Sequence, residues 1–433
     1  MRYGDLKYLS LGEELDQSQY ITCQYYLETD LPIVNAANAI AAEQSTGTWT
    51  KASTLSDDIF ERLAARVTEL EDLGKKTVEG QLLNVARTTV NYPLEEFSIE
   101  IGHIPQILSV IAGNLYGLLE LKNVRLLSCL FPDSVIRKFP GPNFGIKGLR
   151  KVLARPDRPL VGTIVKPKIG LDPKQTAEYV YKCGMGGLTN SKDDETLVDQ
   201  SFNRIDERVP AIAEAIDRVW DETGHRIVHA LNVSTYVKDI VEIAERAVDN
   251  GASQIMVDVL TSGYSALQML AEADLGVPLH VHRTFHGAFT RSPYHGMAME
   301  VVSLLSRLSG GDGLHIGTFG VGKMHGDPEE DMASRNILIN DMGLKNVMPV
   351  CSGGMHPGLV EKLVSISGMD VQIQAGGGVA GHPDGVLGGA RAMSQAVDAV
   401  YQGISLDSYA EDHNELKKAL DKWGYVPADD SVE

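Results

Sequence analysis

Residues 186–196 read GGLTNSKDDET, a short glycine-led run that ends in one lysine and three consecutive carboxylates. On a solvated face such a cluster is ordinary, because exposed ion pairs contribute little. At the end of a buried strand it is costly unless something organises the charges, a metal ion for example. Seven further runs share its character: LVGTIVKPK (160–168), RIVHALNVS (226–234), SQIMVDVL (253–260), VPLHVHRTF (277–285), GLHIGTFG (313–320), NVMPVCSGG (346–354) and VQIQAGGG (371–378). Each is short, apolar and rich in β-branched residues, the pattern of a buried parallel strand. Helical segments lie between them. In LDPKQTAEYVYKCG, Asp172 is placed to cap a helix with Pro173 in its first turn, and Ala177, Val180, Tyr181 and Gly184 fall on one stripe. PAIAEAIDRVWDETG and KDIVEIAERAVDNGA repeat that spacing and end at glycines. Eight strand-helix units predict an α/β protein with a (β/α)8 TIM barrel over residues 141–433, including a C-terminal helical tail.

The polar residues gather at the C-terminal ends of the eight runs, where barrel active sites sit. They are Lys166 and Lys168, then Lys192 to Glu195, Asn232, Asp258, His282 with Arg283, His315, Ser352, and Gly376 to Gly378. Strand alternation turns Lys192 and Asp194 to one side and Asp193 to the other, and Glu195, where the alternation breaks, can turn back to the first. Two carboxylates around one point suit Mg²⁺, a hard ion that prefers oxygen ligands. An unmodified Lys192 would repel that metal. If its neutral amine adds CO2, the carbamate supplies a third anionic oxygen.

Residues 1–140 mix the strand-like QYITCQYYLETD with LSDDIFERLAARVTELEDL, read as helical, and predict a smaller α+β domain. Prolines 132, 140 and 142 among glycines mark the boundary. The chain has 433 residues, 43% hydrophobic and 22% charged, with a formal net charge of -19. That acidity argues against nucleic acid as a partner, and a small anion could bind only at a local positive island. Cys23, Cys129, Cys183 and Cys351 lie far apart without a CxxC pair, so neither a disulfide framework nor a thiolate zinc site is expected. No run is long and apolar enough for a membrane span, and the polar start is unlike a secretory signal, so the expected location is cytoplasmic.

GTIVKPKIGL, GGLTNSKDDE, HVHRTFHGAF, LHIGTFGVGKMHG, CSGGMHPG and AGGGVAGHP, with AAEQSTGTWT and AGNLYG in the amino-terminal domain, resemble motifs of the ribulose-1,5-bisphosphate carboxylase (Rubisco) large subunit family, in family order. The GTFGVGK loop and CSGGMHPG look most like the archaeal-type form III enzymes. The resemblance implies a carbamylated Lys192 that holds Mg²⁺ with Asp194 and Glu195 and acts as general base on ribulose 1,5-bisphosphate. It implies Lys166 as the final proton donor, helped by Lys168, with His282 and His286 placing substrate hydroxyls. Arg283 and His315, with Ser352, would hold one phosphate and Gly376 and Gly377 the other, and Gly353 and Gly354 would also bind substrate. Lys323 would close over the substrate. Glu43, Thr48, Trp49 and Asn114 would complete the partner subunit's site in a homodimer or multimer of dimers, with no small subunit.

The implied activity is CO2 addition giving two 3-phosphoglycerate, with side reaction towards O2, in a nucleotide-salvage (AMP) pathway. Two other classes remain open: a Rubisco-like enolase, isomerase or decarboxylase on another sugar phosphate, and a non-catalytic sugar-phosphate-binding barrel. Taken singly, each residue has a plainer reading. A lone lysine is usually at the surface, a lone histidine is usually a satisfied core or surface residue, GGG is usually a turn, and Trp49 could simply pack. Thr189-Asn190-Ser191 and His325 depart from the family pattern.

Overall fold

The computed structural model describes residues 7–50, 52–323 and 326–428. His325 therefore lies outside the described residues. The chain forms two compact units, Met1–Phe139 with Phe285–Leu305, and Pro140–Thr284 with Ser306–Glu433. The grouping of 285–305 with the amino-terminal residues leaves no mark in the sequence, where that stretch simply follows the fifth barrel run.

In the first unit, strands β1 (Tyr20–Thr29), β2 (Arg66–Val78), β3 (Gln81–Pro93) and β4 (Asn123–Leu130) form a sheet with the two-residue strand Gly296–Met297, in the order Gly296–Met297, β4, β1, β3, β2. Central β1 shows period two, with Ile21, Cys23, Tyr25 and Leu27 fully buried on one face. The helix expected over LSDDIFERLAARVTELEDL stops early. Only Asp57–Leu63 is helical, capped by Ser56, and from Arg66 the chain is edge strand β2. Its Glu and Leu content favours a helix, but the long antiparallel pairing of this strand with β3 overrides that local preference.

The second unit is a closed parallel barrel. Its strands are β5 (Leu160–Ile164), β6 (Asn190–Lys192), β7 (Val228–Asn232), β8 (Gln254–Asp258) and β9 (Leu279–His282). They are followed, after the two-residue strand β10 (Gly296–Met297) of the other sheet, by β11 (Gly313–His315), β12 (Met348–Ser352) and β13 (Gln372–Gln374), which pairs back to β5. All eight expected runs contain one of these strands. Every residue of β7 and β8 is buried, because helices cover the outside and side chains fill the inside. Part of that filling is polar: Asn190 donates to Gln254 Oε1 at 2.7 Å and accepts from Gln372 and Gln374.

The helix Pro173–Met185 begins as its sequence predicts. Asp172 accepts from Gln175 N at 2.7 Å while Gln175 Oε1 accepts from Asp172 N at 3.0 Å, a reciprocal capping box. Its buried stripe runs through Ala177, Val180, Cys183 and Gly184, whereas Tyr181 sits on the flank and donates to Glu222. Gly184 permits the next helix to approach closely, since a Cβ there would lie 2.7 Å from Val219 Cγ2. That neighbour, Ile205–Thr223, starts at Ile205 without a side-chain cap from Arg204 and carries Pro210 inside it. Among the described residues no helix is long and apolar enough to cross a membrane.

Replacing Asp172 with Ala should lower stability by about 1 kcal/mol, read as a fall in the urea midpoint, and Asp172→Ser should recover most of it. Equal midpoints for Ala and wild type would remove the capping box as a source of stability.

Candidate active site

Strand alternation divides the KDDE segment between two environments. Lys192, the last residue of β6, points into the barrel mouth and is 1% exposed. Its Nζ donates to Asp193 O at 2.9 Å and lies 4.0 Å from Glu195 Oε2. From the end of β5, Lys166 Nζ reaches Asp194 Oδ2 at 2.8 Å. Lys168 Nζ lies 3.3 Å from Glu195 Oε1 and 3.9 Å from Asp194 Oδ1. Three amines thus converge on two carboxylates. Burial pushes the Lys192 ammonium below its ordinary range, while Glu195, Asp194 and Asp258 pull it back up. Burial works against the charge of Glu195 too, but Lys192 and His282, with Lys168, outweigh it and hold the carboxyl at about 2.

Asp193 faces the other way, as alternation requires, and is fully buried. It accepts from Arg208 Nη2 at 3.2 Å and Asn232 N at 3.1 Å, and pairs with His229 Nε2 at 3.1 Å. Arg208, also fully buried, donates to Asn203 O at 2.6 Å and Val198 O at 2.7 Å, clamping the loop that follows Glu195. The departing triplet is equally engaged. Thr189 Oγ1 donates to Val161 O at 2.9 Å, Asn190 joins the polar filling, and Ser191 Oγ pairs with His229 Nδ1 at 2.9 Å.

Histidines line the next strand ends. His282 Nδ1 accepts from Thr284 N at 3.1 Å, and its Nε2 lies 3.9 Å from Glu195 Oε2. Asp258 Oδ1 lies 3.3 Å from His282 Nδ1 and is buried without a hydrogen-bond partner. His315 Nδ1 pairs with Ser352 Oγ at 2.8 Å, and its Nε2 meets Nε2 of His280 at 2.8 Å. Burial drives His315 and His280 well below the usual imidazole range, so both rings are neutral. Burial also lowers Arg283, to about 10, although Asp331 opposes it.

The loop residue Lys323 donates its backbone N–H to Gly353 O at 3.0 Å and packs over Gly354, where a Cβ would lie 2.5 Å from Lys323 Cγ. Gly354 also has φ +85°, which favours glycine. A Cβ on Gly376 would meet Lys166 Cε at 3.0 Å, whereas Gly377 borders open space. Asn232 Nδ2 donates to Glu195 O at 3.2 Å.

The remaining predicted residues lie in the first unit. Glu43 and Asn114 line one cavity of about 700 Å³, and Glu43, Thr48 and Trp49 line another of about 400 Å³. Trp49 is 63% exposed. His286 belongs to this unit as well, with Nδ1 paired to Thr290 Oγ1 at 2.8 Å. Glu96 borders the larger cavity, and burial raises its carboxyl to about 9.

Sequence reasoning passed over Arg208, His280 and Glu96. His280 had a usable signal, since LHVH places it on the same strand face as His282. Arg208 and Glu96 had none, because their burial depends on distant segments.

The donor set fits a hard cation in one particular way. Asp194 and Glu195 supply carboxylates next to Lys192, and among the described residues no three His, Cys, Asp or Glu side chains are grouped to hold a metal. A third anionic oxygen would have to come from the lysine itself.

Two family profiles match the chain: the ribulose bisphosphate carboxylase large chain N-terminal domain over residues 8–135, and the catalytic domain over residues 145–423. A protein of Methanocaldococcus jannaschii named ribulose bisphosphate carboxylase is 39% identical over 433 residues, covering 96% of this chain and all of the relative. One of the same name from Pyrococcus furiosus is 42% identical over 428 residues, covering 98% and 97%. Among solved structures, the octameric Rubisco of Pyrococcus horikoshii superimposes with TM-score 0.89 at 38% identity, covering 98% of this chain and 97% of that one. The dimeric archaeal Rubisco of Hyperthermus butylicus does so with TM-score 0.87 at 37% identity, covering 97% and 99%. A Rubisco-like protein of Burkholderia fungorum gives TM-score 0.85 at 29% identity, covering 94% and all of that chain. With both family domains matched in order across a chain that carries this strand-end geometry, the protein belongs to the ribulose bisphosphate carboxylase large chain family.

Proposed function

We propose that this protein is a ribulose-1,5-bisphosphate carboxylase of the archaeal-type form III, adding CO2 to ribulose bisphosphate to give two molecules of 3-phosphoglycerate. The observation that carries the reading is the buried Lys192 amine beside Asp194 and Glu195, ringed by Lys166, Lys168 and His282. Relatives of about 40% identity named as this enzyme support the reaction class. Side reaction with O2 and a place in nucleotide (AMP) salvage belong to the same proposal.

Asp194, Glu195 and a carbamate on Lys192 would hold Mg²⁺, supplying Lewis-acid stabilisation of the developing oxyanion and a basic oxygen for the C3 proton. Lys166 is placed to return a proton to the product carbanion, and Asp194 at 2.8 Å orients its ammonium. His282, with Nε2 turned towards Glu195, is placed to donate to substrate oxygens. Arg283 brings a charge and Ser352 a hydroxyl to one phosphate. The Gly376–Gly377 backbone is open to the other, since no side chain fills the space beside Gly377. Lys323 is exposed at the end of the 318–323 loop and would cover the substrate. The working unit would be a homodimer or a multimer of dimers without a small subunit. Glu43, Thr48, Trp49 and Asn114 would serve the partner subunit's barrel.

Labelled CO2 fixation with ribulose bisphosphate and Mg²⁺ should give 3-phosphoglycerate with wild type and none above background with Lys192→Ala. Matching traces for the two proteins would defeat the carboxylase reading, and a panel of other sugar phosphates would then separate another enzyme from a binder. Carbamate forms only on the neutral amine, whose fraction grows as pH rises through the Lys192 value. Because burial lowers that value, ¹³C-carbamate signal at fixed dissolved CO2 should reach half its maximum below pH 10.5, the ordinary lysine value. A midpoint at or above that value would show that the pocket does not prepare the amine.

A further inference from the structure

His280 takes no part in the roles above, yet it is fully buried and ends one side of a three-member chain. Its Nε2 meets His315 Nε2 at 2.8 Å, and His315 Nδ1 meets Ser352 Oγ at 2.8 Å. His280 Nδ1 is buried and has no hydrogen-bond partner. Only one proton fits between the two Nε2 atoms, and each neutral imidazole carries one N–H. Two arrangements therefore exist, and choosing one fixes every proton along the chain.

In the first arrangement His280 Nε2–H donates to His315 Nε2. His315 then carries its proton on Nδ1 and donates to Ser352 Oγ. The serine hydroxyl hydrogen is left to point away from the histidines, and the only unpaired atom is the lone pair of His280 Nδ1. In the second arrangement His315 Nε2–H donates to His280. His280 must then bury an unpaired Nδ1–H, and Ser352 turns its hydrogen back onto His315 Nδ1. Orphaned buried N–H groups are rarer than unfilled acceptors. The orphaned atom therefore selects the first arrangement. His282 packs edge-on against His315 with ring centroids 4.6 Å apart, and His280 does so at 4.9 Å, so His315 has little room to rotate out of this chain.

We propose that His280 is a positioning residue: by donating to His315 it holds that ring in the Nδ1–H tautomer, which makes Ser352 an outward hydrogen-bond donor to an anionic oxygen of the substrate. Ser352 is partly exposed at the end of β12, where its free hydrogen can reach a ligand. A serine locked as a donor suits a phosphate, which offers only acceptors at neutral pH apart from its last proton. This deepens the role given to His315 and Ser352 under the proposed function and rests on it for substrate identity.

The test uses the full-length protein labelled with ring-¹⁵N histidine. In wild type, His315 Nδ1 should show the shift of a protonated ring nitrogen, and His280 Nδ1 that of a bare one. His280→Gln, which keeps an N–H donor near the Nε2 position, should preserve the His315 tautomer and the KM for ribulose bisphosphate. His280→Leu should release the ring and raise that KM about tenfold, with kcat changed far less, because one hydrogen bond to a charged group is lost. A bare Nδ1 on His315 in wild type overturns the proposal, as does an unchanged KM in a folded Leu variant. If the Leu variant does not fold, the wild-type tautomer and the Gln variant decide. If wild type makes no 3-phosphoglycerate, the carboxylase reading fails by itself. The tautomer spectrum, with inorganic phosphate titrated onto wild type and His280→Leu, then still decides: tenfold weaker phosphate binding by Leu supports the relay, and equal binding removes it.

Discussion

One amine held almost without water at the mouth of a barrel sets the terms for everything around it. Lys192 is 1% exposed, and a buried ammonium persists only where carboxylates or hydrogen-bond acceptors stand close by. Asp194 and Glu195 provide that counter-charge on the inner face, and Asp193 would add a third if it faced inward. The chain prevents this by fixing Asp193 outside the strand, between Arg208 and His229. Removing one partner of such a buried pair costs roughly 3–5 kcal/mol, so the outward orientation is strongly held. The same guanidinium binds Val198 O and Asn203 O, so the direction of one aspartate and the path of the following loop are settled together. Arg208, with His229 and Asn232 N, thus secures the outward direction that strand alternation gives Asp193.

Much of this was legible in the sequence, for a physical reason. Barrel strands are buried on both faces, so they read as short apolar runs whatever their neighbours, and their polar ends mark the functional rim. Asp172 worked as a start signal because a cap acts over three residues. Where the outcome depended on distant partners, local reading failed. RVTELEDL has helix-favouring composition, yet β3 recruits it into an edge strand. Arg208 and Glu96 look like surface residues of amphipathic stretches, and only the packing of other segments buries them. Residues 285–305 give no compositional hint that they group with the amino-terminal unit. His280 was overlooked for a different cause: an inward histidine on an apolar strand resembles core filling until its ring partner is known.

The overall charge of -19 makes the local field of the barrel mouth more informative. Lys166 and Lys168 follow β5, Lys192 ends β6 and Arg283 follows β9, so four cations stand at strand ends on one rim of the barrel of an acidic molecule. Walls of low polarity strengthen the field of such cations on an approaching anion. The cations do not all have the same freedom. Lys166 and Lys168 are engaged by carboxylates, whereas burial weakens the hold of Arg283 on its proton and Asp331 and Glu330 only partly restore it. An incoming phosphate would relieve that strain, because it brings the counter-charge that the protein leaves incomplete.

The two sides of the mouth therefore use different physics. Around Lys192 the interactions are between full charges, and they change whenever a proton or CO2 is gained or lost. Around His315 burial keeps the rings neutral, and the information lies in the direction of each hydrogen. An ammonium attracts from a distance but orients poorly, whereas a guanidinium fork or a fixed neutral donor orients well. A substrate with an anionic group at each end and reactive carbons between them needs both functions at once. The proposed bisphosphate would be drawn in by the amines and guanidinium, then held in a single pose by a donor fixed in direction. Neutral rings at His280 and His315 would allow the second without adding positive charge that would compete with the proposed cation beside Asp194 and Glu195. On the proposed function, that separation accounts for uncharged rings standing next to the most charged residues of the pocket.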